Sequence, residues 1–396
     1  MFESMKKFLL AVFIFCVSFS GHGQNPAVFN ITYTGFTPQA QIAFSYAANI
    51  WTQTLESTVP IKVNAYFAPL VPGLLGITLP NGIKDFPGAP MDSTWYPTSL
   101  ANSITGTELN PGQFDIDVYL NSSINWNTDT VGIIPVAQYD LVSVALHELG
   151  HGLGFASLAK KSGTVGSFGL LLASDFSPIV TSFPWPALDT LPGIFDRFLV
   201  NSLIHPLDTF TNPSTSLGAQ LTNNNIYFNG SNALAANNNI KPRMYAPATF
   251  ALGSSILHLN EATYPVGNIN ELMTPNAVPG NANHNPGPIS IGILKDIGWT
   301  INPNVGIPEN ENAINNIFIY PNPASKFAVC KMQLAKSTEV KFTLYDFSGR
   351  QVITKTRKVT AGFYSEKFDV QNLEAGIYFL NLKGENIFFS KKIVVE

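Results

Sequence analysis

The chain has 396 residues, long enough for more than one domain, with 12% charged and 45% hydrophobic residues and a formal net charge of −4. Nothing in that balance supplies a basic patch, which excludes nucleic acid as a partner. The charge is also unevenly placed. From Asn316 onward there are 12 Lys+Arg against 7 Asp+Glu, a net of +5, and the rest holds 10 against 19, a net of −9, so a domain boundary is expected between them.

The start reads as an address. Lys6-Lys7 precede a greasy stretch from Phe8 to Phe19, followed by the small and polar Ser20-Gly21-His22-Gly23-Gln24. Residues 1–24 therefore have the form of a secretory signal peptide, with a centre too short to span a bilayer. No later stretch is apolar enough to cross a membrane, so the mature chain is expected to be soluble or surface-attached, with no membrane span. Removing the signal leaves Cys330 as the sole cysteine. It excludes an internal disulfide and reads as a small buried apolar residue. It also leaves no cysteine near the amino terminus to block a metal from a pro-segment.

From Pro38 to Leu55 the residues Ala40, Ile42, Ala43, Phe44, Ala47, Ile50 and Trp51 recur at helical spacing, and Pro60 stops the helix. Ile61 to Phe67 alternates as a half-buried strand. The Pro- and Gly-rich stretch Ala68 to Pro111 reads mostly as loop. Phe114 to Leu120 alternates again with its acids on one side. That pattern suits either an exposed strand beside a cleft, to which a substrate backbone could add, or an ordinary sheet strand.

Next comes Tyr139-Asp140 and the apolar run Leu141 to Leu146, a buried helix for which Asp140 is a natural N-cap. It leads into His147-Glu148-Leu149-Gly150-His151-Gly152-Leu153-Gly154. Residues four apart share one helix face, so His147 and His151 can reach one ion. Glu148 cannot join them without distorting the helix, but it can take a proton from a water held by that ion. Buried His and Glu need partners, and a metal supplies them. Zinc suits this donor set, and it lowers the pKa of bound water to about 7.

Beyond Gly154 the sequence is less readable. An insertion over about 158–255 carries helical pieces such as Ile194 to Leu203 and an Asn-rich surface stretch, 223–239, with a short strand at Ile226-Tyr227-Phe228. Calcium binding by the Asn-rich loops stays open. Ile289 to Ile297 resumes helical spacing and ends at Gly298. The stretch 303–315 reads as a linker.

A catalytic zinc site takes three protein ligands, and His205, His258, His284 or a carboxylate such as Asp175 can supply the third. The sequence resembles the metzincin metallopeptidases, with His147, Glu148, His151 and Gly154 in register with their motif. The usual third ligand of that motif would fall at Ser157. The order Gly154-Phe155-Ala156-Ser157, a long insertion, His258, then Glu271-Leu272-Met273 resembles the leishmanolysin-like branch. The resemblance spans roughly residues 40–301. It implies a zincin-like fold, zinc held by His147, His151 and His258, Met273 in a turn below the metal, and Glu148 as general base. The implied activity is hydrolysis of peptide bonds in a protein or peptide substrate by zinc-bound water.

The tail alternates as several short strands: Val340 to Asp346, a turn at Phe347-Ser348-Gly349-Arg350, Gly376 to Leu382, and Phe388 to Val395. About seven strands suggest a β-sandwich. Ile319-Tyr320-Pro321-Asn322-Pro323, Tyr345 to Arg350, Gly376-Ile377-Tyr378 and the terminal Lys391 to Val395 resemble the C-terminal sorting domain of the bacterial type IX secretion system. That resemblance implies export through the periplasm to the outer surface or medium, with the secretion machinery as partner.

The sequence thus predicts an α+β chain: a signal peptide over 1–24, a zincin-like metallopeptidase domain over 25–302, a linker over 303–315, and a small all-β sandwich over 316–396. Two other classes fit the same residues. One is a catalytically degenerate surface adhesin or glycan-binding protein on a peptidase scaffold. The other is a zinc hydrolase acting on a non-peptide bond.

Overall fold

Thr37 starts the first helix, α1 (Pro38–Thr54), by accepting a hydrogen bond from Ala40 N, with Pro38 at the position where a missing N–H costs nothing. The structure, a computed structural model, describes residues 25–130, 134–179, 189–302, 314–334, 336–346, 350–384 and 387–396. The signal peptide lies outside the described residues, as does the linker up to residue 313. The chain divides into two units, 1–305 and 306–396.

The first unit is built on a four-stranded sheet in the order Phe29–Thr34, Ile61–Ala68, Ile116–Asn121, Gly76–Pro80. The first three strands are parallel, and the last runs antiparallel at the edge. Alternation along Ile61–Ala68 sends Ile61, Val63 and Ala65 into the core and Lys62, Asn64 and Tyr66 to the other face. Of the two readings of the Phe114 to Leu120 alternation, the ordinary sheet strand is the one observed. The acid-bearing strand around Asp117 is interior, paired on both sides, and does not border a cleft. Its acids serve the sheet: Asp117 accepts from Asn64 on the neighbouring strand at 3.0 Å, and Asp115 accepts from Lys62 N at 2.8 Å. Period-two alternation reports which face a residue occupies, not where its strand sits in the sheet.

The stretch expected as loop, 68–111, in fact holds the Gly76–Pro80 strand, the pair Gly82–Lys84 and Trp95–Pro97, and helix α2 (Thr98–Thr105). These elements are three to eight residues long, too short to impose a period among the prolines and glycines.

Helix α3 (Leu141–Gly152) is capped as expected, Asp140 accepting from Ser143 N at 2.8 Å. It packs between α1 and the sheet. Trp51 of α1 donates its indole N–H to Leu146 O at 2.9 Å, and Gly150 lets the helix approach Met273. A Cβ at Gly150 would stand 2.9 Å from the Met273 sulfur. Gly154 ends the helix at φ +113°, where Phe155 N–H turns back to Gly150 O.

In the insertion, the helical reading of Ile194 to Leu203 is corrected to a single 3-10 turn, Asp196–Phe198, then a strand Leu199–Asn201. That strand pairs with Ile226–Phe228, the short strand the sequence predicted. Buried Phe195 and Phe228 meet at 5.2 Å, so the apolar spacing reflects packing on two sides and not a helix. The insertion also carries α4 (Thr215–Gln220) and α5 (Ser231–Ala236). Helix α6 (Pro288–Ile297) ends at Gly298 as expected, and its Asp296 accepts from Asn232 N and Ala233 N in the first turn of α5.

The second unit is an antiparallel, seven-stranded β arrangement in two sheets. One orders Ile314–Tyr320, Phe327–Leu334 and Gly362–Asp369. The other orders Gln351–Val359, Thr338–Asp346, Gly376–Gly384 and Ile387–Val395. The first strand begins at Ile314, so the last two residues assigned to the linker are strand. Met332, Phe342, Leu344, Phe368 and Leu380 fill its core, and Cys330 lies fully buried among them as expected. The turn predicted at Phe347-Ser348-Gly349 lies outside the described residues. Among the described residues, no helix is long and apolar enough to cross a membrane.

Candidate metal centre

His147 and His151 project from one face of α3, and His258 arrives from a loop more than a hundred residues later. Backbone pairing fixes that loop. Tyr245 N–H donates to His258 O at 2.8 Å, Ile256 N–H to Tyr245 O at 2.7 Å, and Leu259 N–H to Met273 O at 2.8 Å. His258 therefore sits between two tethered peptide groups. The three Nε2 atoms form a near-equilateral triangle, with separations of 3.0, 3.2 and 3.2 Å.

Each ring is held from behind by a main-chain carbonyl. His147 Nδ1 meets Leu272 O at 2.6 Å, His151 Nδ1 meets Phe155 O at 2.6 Å, and His258 Nδ1 meets Ser254 O at 2.8 Å. A carbonyl only accepts, so each Nδ1 carries the proton and each Nε2 presents a lone pair. Burial holds all three imidazoles below their ordinary pKa, His258 down to about 3, and for His151 the neighbouring rings add to burial. Three neutral rings thus aim three lone pairs at one point. No hydrogen bond among them can relieve that repulsion, whereas a cation can.

The donor set fits zinc. A triangle with sides of 3.0–3.2 Å has a circumradius of about 1.8 Å, within the Zn–N reach of about 2.0–2.1 Å, so one ion can bond all three nitrogens. Three imidazoles leave a fourth position open to water or substrate. Carbonyl acceptors behind ligating rings are the usual means of fixing their orientation.

Glu148 is nine-tenths buried, and its Oε2 accepts from the Thr78 hydroxyl at 2.7 Å. Burial pushes this carboxyl up to about 7, opposed by the Thr78 hydrogen bond. Gly76, two residues along the same edge strand, leaves room for it, since a Cβ there would lie 2.7 Å from Oε1. Met273 is fully buried beside the helix, and the Glu271–Thr274 turn is closed by Thr274 N–H to Glu271 O at 2.9 Å.

A cavity of about 640 Å³ opens over these groups. Thr78, His147, Glu148, His258 and Glu271 line it, with apolar walls from Leu171, Phe176, Ile194 and Leu252.

The other candidate ligands lie elsewhere. Asp175 pairs with Lys160 at 2.7 Å, His205 is exposed, and His284 Nε2 meets the capping carboxylate Asp140 at 2.7 Å. Ser157 turns its hydroxyl to buried Asp196 at 2.6 Å, while Leu158 N–H and Gly193 N–H donate to the other oxygen. That carboxylate ties the insertion to the end of α3.

Burial pushes Asp196 up to about 6, against the pull of its three donors. Its folded pKa then exceeds the unfolded value, so its contribution to stability is complete below about pH 4 and lost as pH rises through about 6. Asp196→Asn should therefore flatten the pH dependence of unfolding between pH 4 and 6 by about 3 kcal/mol relative to wild type. Denaturant melts across that range test it, and parallel wild-type and variant profiles would refute it.

Sequence reasoning missed Thr78, Gly76, Asp196 and the three carbonyl anchors. Carbonyls leave no sequence signal, and Gly76-Ile77-Thr78 sits in a strand too short to read.

Comparison with known proteins bears on the tail. Residues 318–396 match a family described as a secretion system C-terminal sorting domain. The second unit is such a domain, and the chain is accordingly one exported to the cell surface or secreted. No curated protein matches the chain. Solved structures similar to a fifth of it include dimeric latent PorU from Porphyromonas gingivalis, at 20% identity over 20% of this chain and 9% of that one, TM-score 0.18. A β-glucuronidase from Faecalibacterium prausnitzii matches at 15% identity over 22% and 14%, TM-score 0.18. One from Parabacteroides merdae matches at 16% over 21% and 13%, TM-score 0.16. The chain covers less than a sixth of these proteins' lengths, and the likeness carries no inference about activity.

Proposed function

We propose that the first unit is a zinc-dependent metalloendopeptidase with a zincin-like fold, of metzincin type and resembling the leishmanolysin-like branch. The observation that carries this reading is the triangle of Nε2 lone pairs from His147, His151 and His258, each ring fixed by a carbonyl, with Glu148 lining the same cavity. Zinc bound there would supply a Lewis acid that polarises the scissile carbonyl and makes hydroxide accessible near neutral pH.

The chain's own residues do the rest. Glu148 takes a proton from the attacking water and returns it to the leaving nitrogen, its carboxylate held from the edge strand by the Thr78 hydroxyl and lining the cavity with the imidazoles. Along Gly76–Leu79 the strand pairs with Ile116–Asn121 on one side among the described residues and lines the cavity, so an extended peptide can add beside it as a further strand. That edge favours a peptide over a small non-peptide substrate. The adhesin alternative drew on Ser157 at the usual ligand position, but Ser157 is engaged with Asp196 and the third imidazole comes from His258. Partners are then a protein or peptide substrate and, through the tail, the type IX secretion machinery.

Metal analysis of the purified protein, combined with casein digestion, tests the assignment. One zinc per chain and cleavage abolished by 1,10-phenanthroline are expected. A protein free of zinc, or a zinc protein inert toward both casein and gelatin, would overturn it.

A further inference from the structure

The Glu148 carboxylate is treated unequally by its surroundings. Oε2 accepts the Thr78 hydroxyl at 2.7 Å, while Oε1 makes no hydrogen bond among the described residues. Thr78 and Gly76 are two apart on one strand, so their side-chain positions share a face, and both abut this carboxylate. The missing Cβ of Gly76 is what leaves space beside Oε1. A threonine hydroxyl has one proton to donate, and here it is committed to Oε2.

We propose that Thr78 is a positioning residue of the site: its hydroxyl holds Glu148 Oε2 on the edge strand, so that Oε1 is the oxygen that exchanges the proton with water and leaving group. The inference rests on the metallopeptidase reading and deepens it. A glutamate side chain without this anchor has three rotatable bonds to explore, and proton transfer requires the base within about 2.6–3.2 Å of its partner. The anchor belongs to the same strand that would dock a substrate backbone. Base and substrate would thereby share one rigid support, the condition under which a reacting geometry is kept to fractions of an ångström.

Three variants of the full chain test this, each loaded with zinc. Thr78→Val keeps the shape and removes the hydroxyl, Thr78→Ser keeps the hydroxyl, and Gly76→Ala fills the space beside Oε1. Acetohydroxamic acid is the probe, because it chelates zinc and its polar hydrogen needs a correctly placed carboxylate. Thr78→Val should keep one zinc per chain yet bind acetohydroxamate about tenfold more weakly, with kcat on azocasein down about tenfold and KM within about twofold. Thr78→Ser should restore both values, and Gly76→Ala should impair both without loss of zinc.

Thr78→Val matching wild type in probe affinity and kcat would overturn the proposal. So would Thr78→Ser behaving like valine, or Thr78→Val losing zinc, since either points to a structural role. A wild-type protein that holds no zinc, or holds it without binding acetohydroxamate, would instead remove the metallopeptidase reading and this inference with it.

Discussion

Replacing Glu148 by alanine should leave one zinc per chain in place and lower casein cleavage roughly 10²–10⁴-fold, the range a positioned general base contributes. The separation of the two effects follows from the geometry. The three imidazoles that form the metal triangle are fixed by Leu272, Phe155 and Ser254 carbonyls, none of which involves Glu148. The carboxylate's hydrogen bond goes to the edge strand at Thr78 instead. Truncation therefore removes the proton acceptor without touching a ligand. It also relieves a buried acid of its desolvation cost, so the folded state should not be weakened. Zinc content by atomic absorption and initial rates of digestion decide the matter. A variant with activity within tenfold of wild type would show that Glu148 is not the base, and joint loss of zinc would show that it is part of the metal shell.

His258→Ala should abolish stable zinc binding, and activity with it. Two imidazoles would remain, His147 and His151, with Nε2 atoms 3.0 Å apart on one helix face. Such a pair lacks the third donor a catalytic zinc site requires. The loss is also readable as stability, because a ligand that binds only the folded state stabilises it by mass action. At zinc a hundredfold above its Kd, wild type should gain about 2.7 kcal/mol, and His258→Ala should gain nothing measurable. His205→Ala is the matched control, since that ring is exposed and remote from the triangle. It should behave as wild type in both measurements. Full zinc and full activity in His258→Ala would falsify the ligand assignment.

Much of the site was legible because its chemistry is local. The spacing of His147 and His151 follows from helical geometry, and Asp140 caps that helix as its side chain predicts. Helices α1 and α6 were legible for the same reason, each having enough turns to impose a period and a proline, glycine or hydroxyl to bound it. Several tail strands, at Val340–Asp346, Gly376–Leu382 and Phe388–Val395, were readable from alternation, and the family match over residues 318–396 supports the resemblance to sorting domains.

What was left open or missed shares one physical origin. The alternation around Asp117 left open a strand beside a cleft or an ordinary sheet strand, and only the fold shows it is the second, because strand order depends on partners far away in sequence. The Gly76–Pro80 strand was absent from the sequence reading, yet it supplies both the outer strand of the sheet and the hydroxyl on Glu148. Ile194 to Leu203 has apolar spacing set by burial between aromatic rings and not by a helical turn.

By itself the sequence determined the chemical kinds present: two imidazoles and a carboxylate on one buried helix, a third imidazole among several candidates, and an exported tail. These follow from covalent neighbours and from periods shorter than one element. The resemblance already pointed to His258 as the third imidazole; the tertiary structure brings it to the pair and decides which oxygen of Glu148 is anchored and which strand borders the cavity. Those outcomes are set by main-chain hydrogen bonds from Tyr245, Ile256 and Leu259, which carry no side-chain signature, and by the Thr78 hydroxyl, whose partner on α3 is seventy residues away in sequence.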